Sequence, residues 1–263
     1  VIRDALRQIT AAGKYFTAAT GRQMRADQMA ETGFDEIDMY NVNMNGALIV
    51  DNKGQILRKR SISREFLRAL LEAFPTLGFE FHGPEHTYVR ISREAFIEEF
   101  RNRPAPPSMP PMTEEKRNAM LDRFLKKTRF DQSDETIAEQ EILKINYRTT
   151  DPRERACLNA FLKKHKAEAT NAPFDDDGYE ITSHNVNKGE AVAWLAAHLG
   201  ISEDETAVYG DGYNDLKMLE HFTHSYATMD AVPEAKAAAR ETIGFCADHA
   251  VPGHILMTLK EEK

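Results

Sequence analysis

Two carboxylates close together in a glycine turn are the first sign of chemistry in this chain. Between Thr206 and Leu219 an apolar, β-favouring run, Thr-Ala-Val-Tyr, breaks into Gly-Asp-Gly-Tyr-Asn-Asp at 210–215 and resumes as Leu-Lys-Met-Leu, with Leu216 and Leu219 at helical spacing. The pattern predicts a strand, a loop and a helix start. In an open parallel sheet, ligands gather at the carboxyl ends of strands, and Gly210 and Gly212 would let a ligand approach the backbone. Asp211 and Asp215 supply hard oxygen donors there, which suit Mg²⁺, an ion that usually bridges to phosphate. The plainer alternative is a turn whose Asn214 or Asp215 caps the next helix.

Thr20-Gly21-Arg22 ends a second predicted strand and so falls on the same sheet edge as Asp211. Lys188 opens a helix between them in sequence. A lysine in a first helical turn opposes the helix dipole, at roughly 0.3–1 kcal/mol when exposed, and an anion held nearby would offset that cost. Each piece has a dull reading: Thr20 as a strand end, Arg22 as a solvated charge, Lys188 as surface. Their joint order is much harder to produce by accident.

The elements that must position these residues follow a helix, strand, helix rhythm. Ile2, Ala5, Leu6 and Ile9 predict an amphipathic helix stopped by Gly13, Lys14 to Thr20 a buried strand, and the stretch after Arg22 a second helix toward Glu31. Met39 to Met44 reads as a strand. Ala47–Val50 and Gln55–Lys59 read as a hairpin around Asp51-Asn52-Lys53-Gly54. From about Arg60 the texture changes. A helix capped by Ser63 runs to about Phe74, and short strands near 78–82 and 87–91 precede a helix from Arg93 to Arg101. Then come a proline-dense extended stretch from Arg103 to Met112, a helix from Thr113 to about Lys127, a strand near Ile142–Tyr147, and a helix from Pro152 to about His165. The doubly wound pattern resumes with a strand at Tyr179–Thr182, a helix at Lys188–Leu199, the opening motif, and alternating strands and helices at 225–229, 233–240, 242–247 and the terminus. The fold class expected is α/β, a doubly wound parallel-sheet core of residues 1–59 and 177–263 with an inserted α+β cap at 60–176.

With 263 residues, 41% of them hydrophobic, the chain can bury a sizeable core. A net charge of −8 argues against nucleic acid or an anionic membrane as the main partner. Cys157 and Cys246 lie far apart in no metal-binding spacing, which fits a reducing cytoplasm, and no apolar run approaches the ~18 residues of a membrane span.

On these motifs the chain resembles the haloacid dehalogenase superfamily, specifically its Cof-type capped sugar-phosphate phosphatases. The resemblance covers nearly the whole chain. It rests on Ala18-Ala19-Thr20-Gly21-Arg22, Asn45-Gly46-Ala47 with the hairpin after it, Asn187-Lys188-Gly189, Tyr209 to Asp215, and the run Ala227–Ala239 with Met229, Ala231 and Lys236. It implies that Thr20, Gly21, Arg22, Lys188 and Asn214 bind the phosphate of a small phosphorylated metabolite, with Thr20, Lys188 and Asp211 catalytic. Asp211 would ligate Mg²⁺, with Asp215 acting directly or through water. The cap would close over the site, and His82, His86, Arg90 and Arg148 are its candidate contacts. Members of the family also carry Asp-x-Asp-Gly-Thr on a strand before the first helix, whose first Asp accepts the phosphoryl group. Val1 begins in that helix, so native N-terminal residues are expected to precede it, and Asp35, Asp38 and Asp51 are not placed to substitute. The rival readings are a non-catalytic ligand-binding or regulatory relative, a phosphomutase, and a receiver-type signalling domain. A monomer or small homo-oligomer fits each.

Overall fold

Helix α1, Ile2–Ala11, buries Ala5, Leu6 and Ile9, and Ile2, at its open end, stays exposed. Gly13 ends it as expected: at φ +73° it occupies the left-handed region, and Lys14 returns its N–H to the Ile9 carbonyl at 3.2 Å. The computed structural model describes residues 2–23, 34, 36–102, 113–173 and 177–261. The helix expected toward Glu31 and the proline-dense stretch at 103–112 lie outside the described residues.

Strand β1, Thr17–Ala19, pairs in parallel with β2, Tyr40–Asn43. β2 continues antiparallel to β3, Leu48–Val50, which pairs with β4, Ile56–Lys59. The hairpin turn is local chemistry. The Asp51 carboxylate accepts from the N–H groups of Lys53 at 2.9 Å and Gln55 at 2.8 Å, and Gly54 takes φ +79°. Late in the chain, β11 (Ala207–Gly210), β12 (His224–Ala227) and β13 (Glu241–Thr242) form a second parallel sheet. The last strand is shorter than the expected 242–247, because Cys246–Asp248 turns as a 3-10 helix.

Both parallel pieces lie between the same two helical layers. On one side Ala19, Val42 and Val208 pack with α7 (Lys188–His198), α8 (Leu216–His221) and α9 (Pro233–Ala238). On the other, Ala18 and Met39 pack with α1 and the terminal helix α10, Ala250–Glu261. Successive strand residues therefore serve opposite layers, as a doubly wound core requires.

The inserted unit is a six-stranded sheet. Its order is β7 (Thr128–Arg129), β6 (Thr87–Tyr88), β5 (Glu80–His82), β8 (Lys144–Arg148), β10 (Gly178–Ser183) and β9 (Ala169–Asn171). Helices α2 (Arg64–Ala73), α3 (Arg93–Asn102), α4 (Glu114–Lys127), α5 (Asp134–Ala138) and α6 (Pro152–Lys164) complete it. Ser63 caps α2 as predicted, its hydroxyl accepting from the Phe66 N–H at 3.2 Å. One expectation is corrected. The strand at 179–182 does not resume the parallel core; it is β10, antiparallel to both β8 and β9, and it carries the inserted sheet through Ser183. Tyr179 and Ile181 drive this, since burying them beside Phe79, Phe81 and Ile145 satisfies a strand whose alternation is apolar on one face only.

Candidate active site

Gly210 ends β11, and the chain then folds back on itself. A Cβ at Gly210 would lie 2.6 Å from the Asp215 Cβ, so this residue is glycine for the sake of Asp215 rather than to admit a ligand. The Asp215 carboxylate closes the loop: Oδ2 accepts from the Asp211 N–H at 2.9 Å and the Gly212 N–H at 3.0 Å, and Oδ1 takes Lys188 Nζ at 2.6 Å. Asp215 therefore organises the loop behind it and makes no side-chain cap of α8. Lys188 is reached because Asn187 caps α7, its side chain accepting from the Glu190 N–H at 2.9 Å. Both members of the Lys188–Asp215 pair are buried, with 6% and 5% of their side chains exposed, so neither can lose its partner cheaply.

The network continues to the other loops. Lys188 also donates to Asn214 Oδ1 at 3.2 Å, and Asn214 Nδ2 donates to Asn45 Oδ1 at 3.2 Å. The Asn45 N–H in turn bonds the Thr20 carbonyl at 3.1 Å. The Thr20, Lys188 and acidic loops therefore meet, joined through two asparagine side chains. Asn45 holds its place in the left-handed region at φ +57°, which asparagine tolerates better than most residues. Thr20 Oγ1 accepts from the Arg22 N–H at 3.1 Å, leaving its own hydroxyl proton to donate. Arg22 itself is exposed.

Asp211 stands at the solvent-facing rim of this network. Partial burial first, and then the Asp215 carboxylate, push its pKa above the ordinary carboxylate value, with Lys188 acting against them. A carboxylate raised by a like-charged neighbour fits a cation, and the donors are hard oxygens. Among the described residues no group of three or more His, Cys, Asp or Glu side chains could hold a metal by themselves. An octahedral ion on Asp211 would draw its other ligands from water, phosphate or further carboxylates.

A match to the family model for haloacid dehalogenase-like hydrolases extends over residues 1–255. The chain belongs to this family. Arabidopsis thaliana "Endoribonuclease YBEY, chloroplastic" is 30% identical over 116 residues, 44% of this chain and 20% of that protein. The HMP-PP phosphatase of Serratia proteamaculans is 30% identical over 101 residues, 37% of each chain. The chain thus spans well under half the length of these curated relatives. A solved haloacid dehalogenase subclass IIB sugar phosphatase is similar in fold, with a TM-score of 0.73 at 20% identity over 97% of this chain and 89% of the other.

The six-stranded inserted sheet meets the parallel sheets beside these loops. The cap sheet has two faces. Phe79, Phe81, Ile145, Tyr179 and Ile181 bury one against the cap helices, and the alternate residues Glu80, His82, Lys144, Asn146, Glu180 and Thr182 make the other polar. Lys144 and Glu180 reach the core. Lys144 Nζ donates to the Gly21 carbonyl at 2.7 Å and pairs with Glu180 Oε2 at 2.9 Å, and the same oxygen accepts from Asn45 Nδ2 at 2.6 Å. A cleft of about 570 Å³ opens beside these contacts, between Thr170–Pro173 at the end of β9 and Tyr213–Lys217 of the acidic loop, with Asn214 on its wall.

Of the four cap candidates, His82 lies on the polar face and bonds Thr87 Oγ1 at 2.9 Å, and His86 meets Arg129 at 3.0 Å. Arg148 ends β8, exposed. Arg90 is committed to architecture: it pairs with Asp134 at 2.6 Å and donates to the Leu71, Phe74 and Leu77 carbonyls around the end of α2. Motif reading passes over Lys144 and Glu180, and it gives Asn45, quoted within Asn45-Gly46-Ala47, no role of its own. The available signal for Lys144 was a lone lysine inside the apolar run Ile142-Leu143-Lys144-Ile145.

Proposed function

We propose that this protein is a Mg²⁺-dependent phosphatase of small phosphorylated metabolites, with sugar phosphates the leading class. One observation carries the reading: a continuous hydrogen-bonded path joins the Thr20 loop, Asn45, Asn214, Lys188 and Asp215 at the carboxyl ends of β1 and β11. Phosphoryl transfer needs positioning and charge stabilisation more than covalent chemistry from the protein. The Thr20 hydroxyl donates to a phosphoryl oxygen, the Lys188 ammonium neutralises charge that builds there, and Asn214 orients both. Asp211 would hold the metal, and Asp215, whose oxygens already serve three donors, would support it through water. The bound ion would supply further neutralisation of the phosphate oxygens.

Turnover through an aspartyl-phosphate would need an acceptor carboxylate, whose acyl-phosphate bond water then cleaves to release phosphate. We place the division between core and cap near residues 60 and 184, following the sheet pairing. The cap excludes water and contacts the leaving group. The exposed thiols of Cys157 and Cys246 favour a cytoplasmic setting, and no helix among the described residues is long and apolar enough to cross a membrane.

The test is a screen of phosphate esters, with and without Mg²⁺, on protein expressed from its complete open reading frame. Release of free phosphate only when Mg²⁺ is present, with most turnover lost in Asp211→Ala, is the expected result. Phosphate binding with no hydrolysis would favour the ligand-binding relative. Phosphate reappearing on another carbon of the same sugar would mark a mutase.

A further inference from the structure

The Thr20 hydroxyl can be aimed at a phosphoryl group only if the loop that carries it is held. A single peptide group does the holding. The Gly21–Arg22 peptide donates its N–H to Thr20 Oγ1 at 3.1 Å, and its carbonyl accepts from Lys144 Nζ at 2.7 Å. Because a peptide is planar, fixing its oxygen aims its N–H. Lys144 is 123 residues away in sequence and belongs to the cap strand β8. With 3% of its side chain exposed, it is an expensive residue to bury unless its charge is used. Glu180 of β10 holds that charge at 2.9 Å and is itself tied to Asn45 at 2.6 Å. Gly21 leaves room for this grip, since a Cβ there would lie 2.9 Å from Glu180 Oε2 and 3.0 Å from Asn45 Oδ1. A second contact flanks it, from Gln23 Nε2 to the carbonyl of Pro84 in the turn between β5 and β6.

We propose that Lys144 is a positioning residue: reaching from the cap, it clamps the Gly21–Arg22 peptide so that the Thr20 hydroxyl points at the phosphoryl group. The inference rests on the phosphatase reading and adds to it. Docking of the cap does more than cover the site; it completes the phosphate loop.

The experiment is a double-mutant cycle of Lys144→Met and Thr20→Val, on protein from the complete open reading frame, with p-nitrophenyl phosphate as substrate. Lys144→Met is expected to lower kcat by about 10- to 100-fold, the scale of a small misplacement, with KM changed far less. Lys144→Arg, which keeps a donor, should recover most of that loss. In the Thr20→Val background the second substitution should cost no more than about twofold, because the two act as a unit. Independent, additive losses, or an unchanged kcat in Lys144→Met, overturn the proposal. Hydrogen exchange at the Arg22 amide needs no turnover and should quicken in Lys144→Met. If the unaltered protein hydrolyses nothing, the phosphatase reading fails while the exchange rate still decides the clamp, with an unchanged rate overturning it. Should Lys144→Met not fold, Glu180→Gln loosens the same ammonium and is read by the same two measurements.

Discussion

The parallel core and the inserted six-stranded sheet both border the candidate site, and they dispose their side chains in opposite ways. In the parallel core, helices cover both faces, so strand residues such as Ala18, Ala19, Val42 and Val208 are committed to packing. Thr20, Lys188 and Asp211 can then appear only in the loops at strand and helix ends. The inserted sheet packs its helices on one face only, and every second residue of β5, β8 and β10 is left for polar work on the face that meets the core. A core function therefore survives changes of loop sequence poorly, whereas a cap can change its polar face while keeping its apolar one. Substrate range is the property we expect the cap to vary.

That contrast can be broken at its structural root. Phe81→Ala, on the buried face of β5, should cost about 3–5 kcal/mol of stability in urea unfolding, whereas Glu80→Gln, one residue away on the other face, should leave the midpoint nearly unchanged. Equal losses would mean the two faces are not distinct. At the core edge, Lys188→Ala should reduce kcat by roughly 10²–10³-fold in a phosphate-release assay, as expected for a group that stabilises developing charge in a buried site. It should also destabilise the fold by leaving Asp215 buried without its partner. Gly210→Ala should cost about 1–3 kcal/mol, because the new methyl would displace the Asp215 side chain from the loop it closes. Its thermal midpoint should respond less to added Mg²⁺ than that of the parent.

The two regions also separate by pH. Burial, and then Lys144, lower the His82 pKa from 6.5 to about 3. As pH falls the unfolded chain takes up that proton first, so the stability present above about pH 6.5 is lost progressively toward pH 3. The slope has a ceiling of about 1.4 kcal/mol per pH unit, reduced because 18% of the side chain is exposed. His82→Gln should flatten this part of the stability profile without touching the Lys188–Asp215 pair. A profile identical to that of the parent would remove His82 from the account.

Much of this was legible from residue order, and the parts that were share a scale. Gly13 as a helix stop, Ser63 as a cap, the Asp51–Gly54 turn and the Gly210–Asp215 loop each depend on groups within about five residues of one another. Turn chemistry and hydrophobic period act over that distance. Even within that loop, residue order does not announce that the Asp215 side chain folds back over Gly210 and leaves no room for a Cβ there. Residue order misplaces β10 for a related reason. Its alternation announces a strand with one apolar face, but the partner that buries Tyr179 and Ile181 is chosen by distant strands.

By itself, then, the order of residues determined the α/β class and the family, and it singled out three loops that the fold brings together. Tertiary structure decided how those loops are joined. Asn45 meets Asn214 across 169 positions, and Lys144 meets Gly21 across 123. Local propensities say nothing about such contacts. They exist because burying two apolar sheet systems against their helices leaves these polar groups facing one another out of water, where each must find a partner or pay its full cost of desolvation.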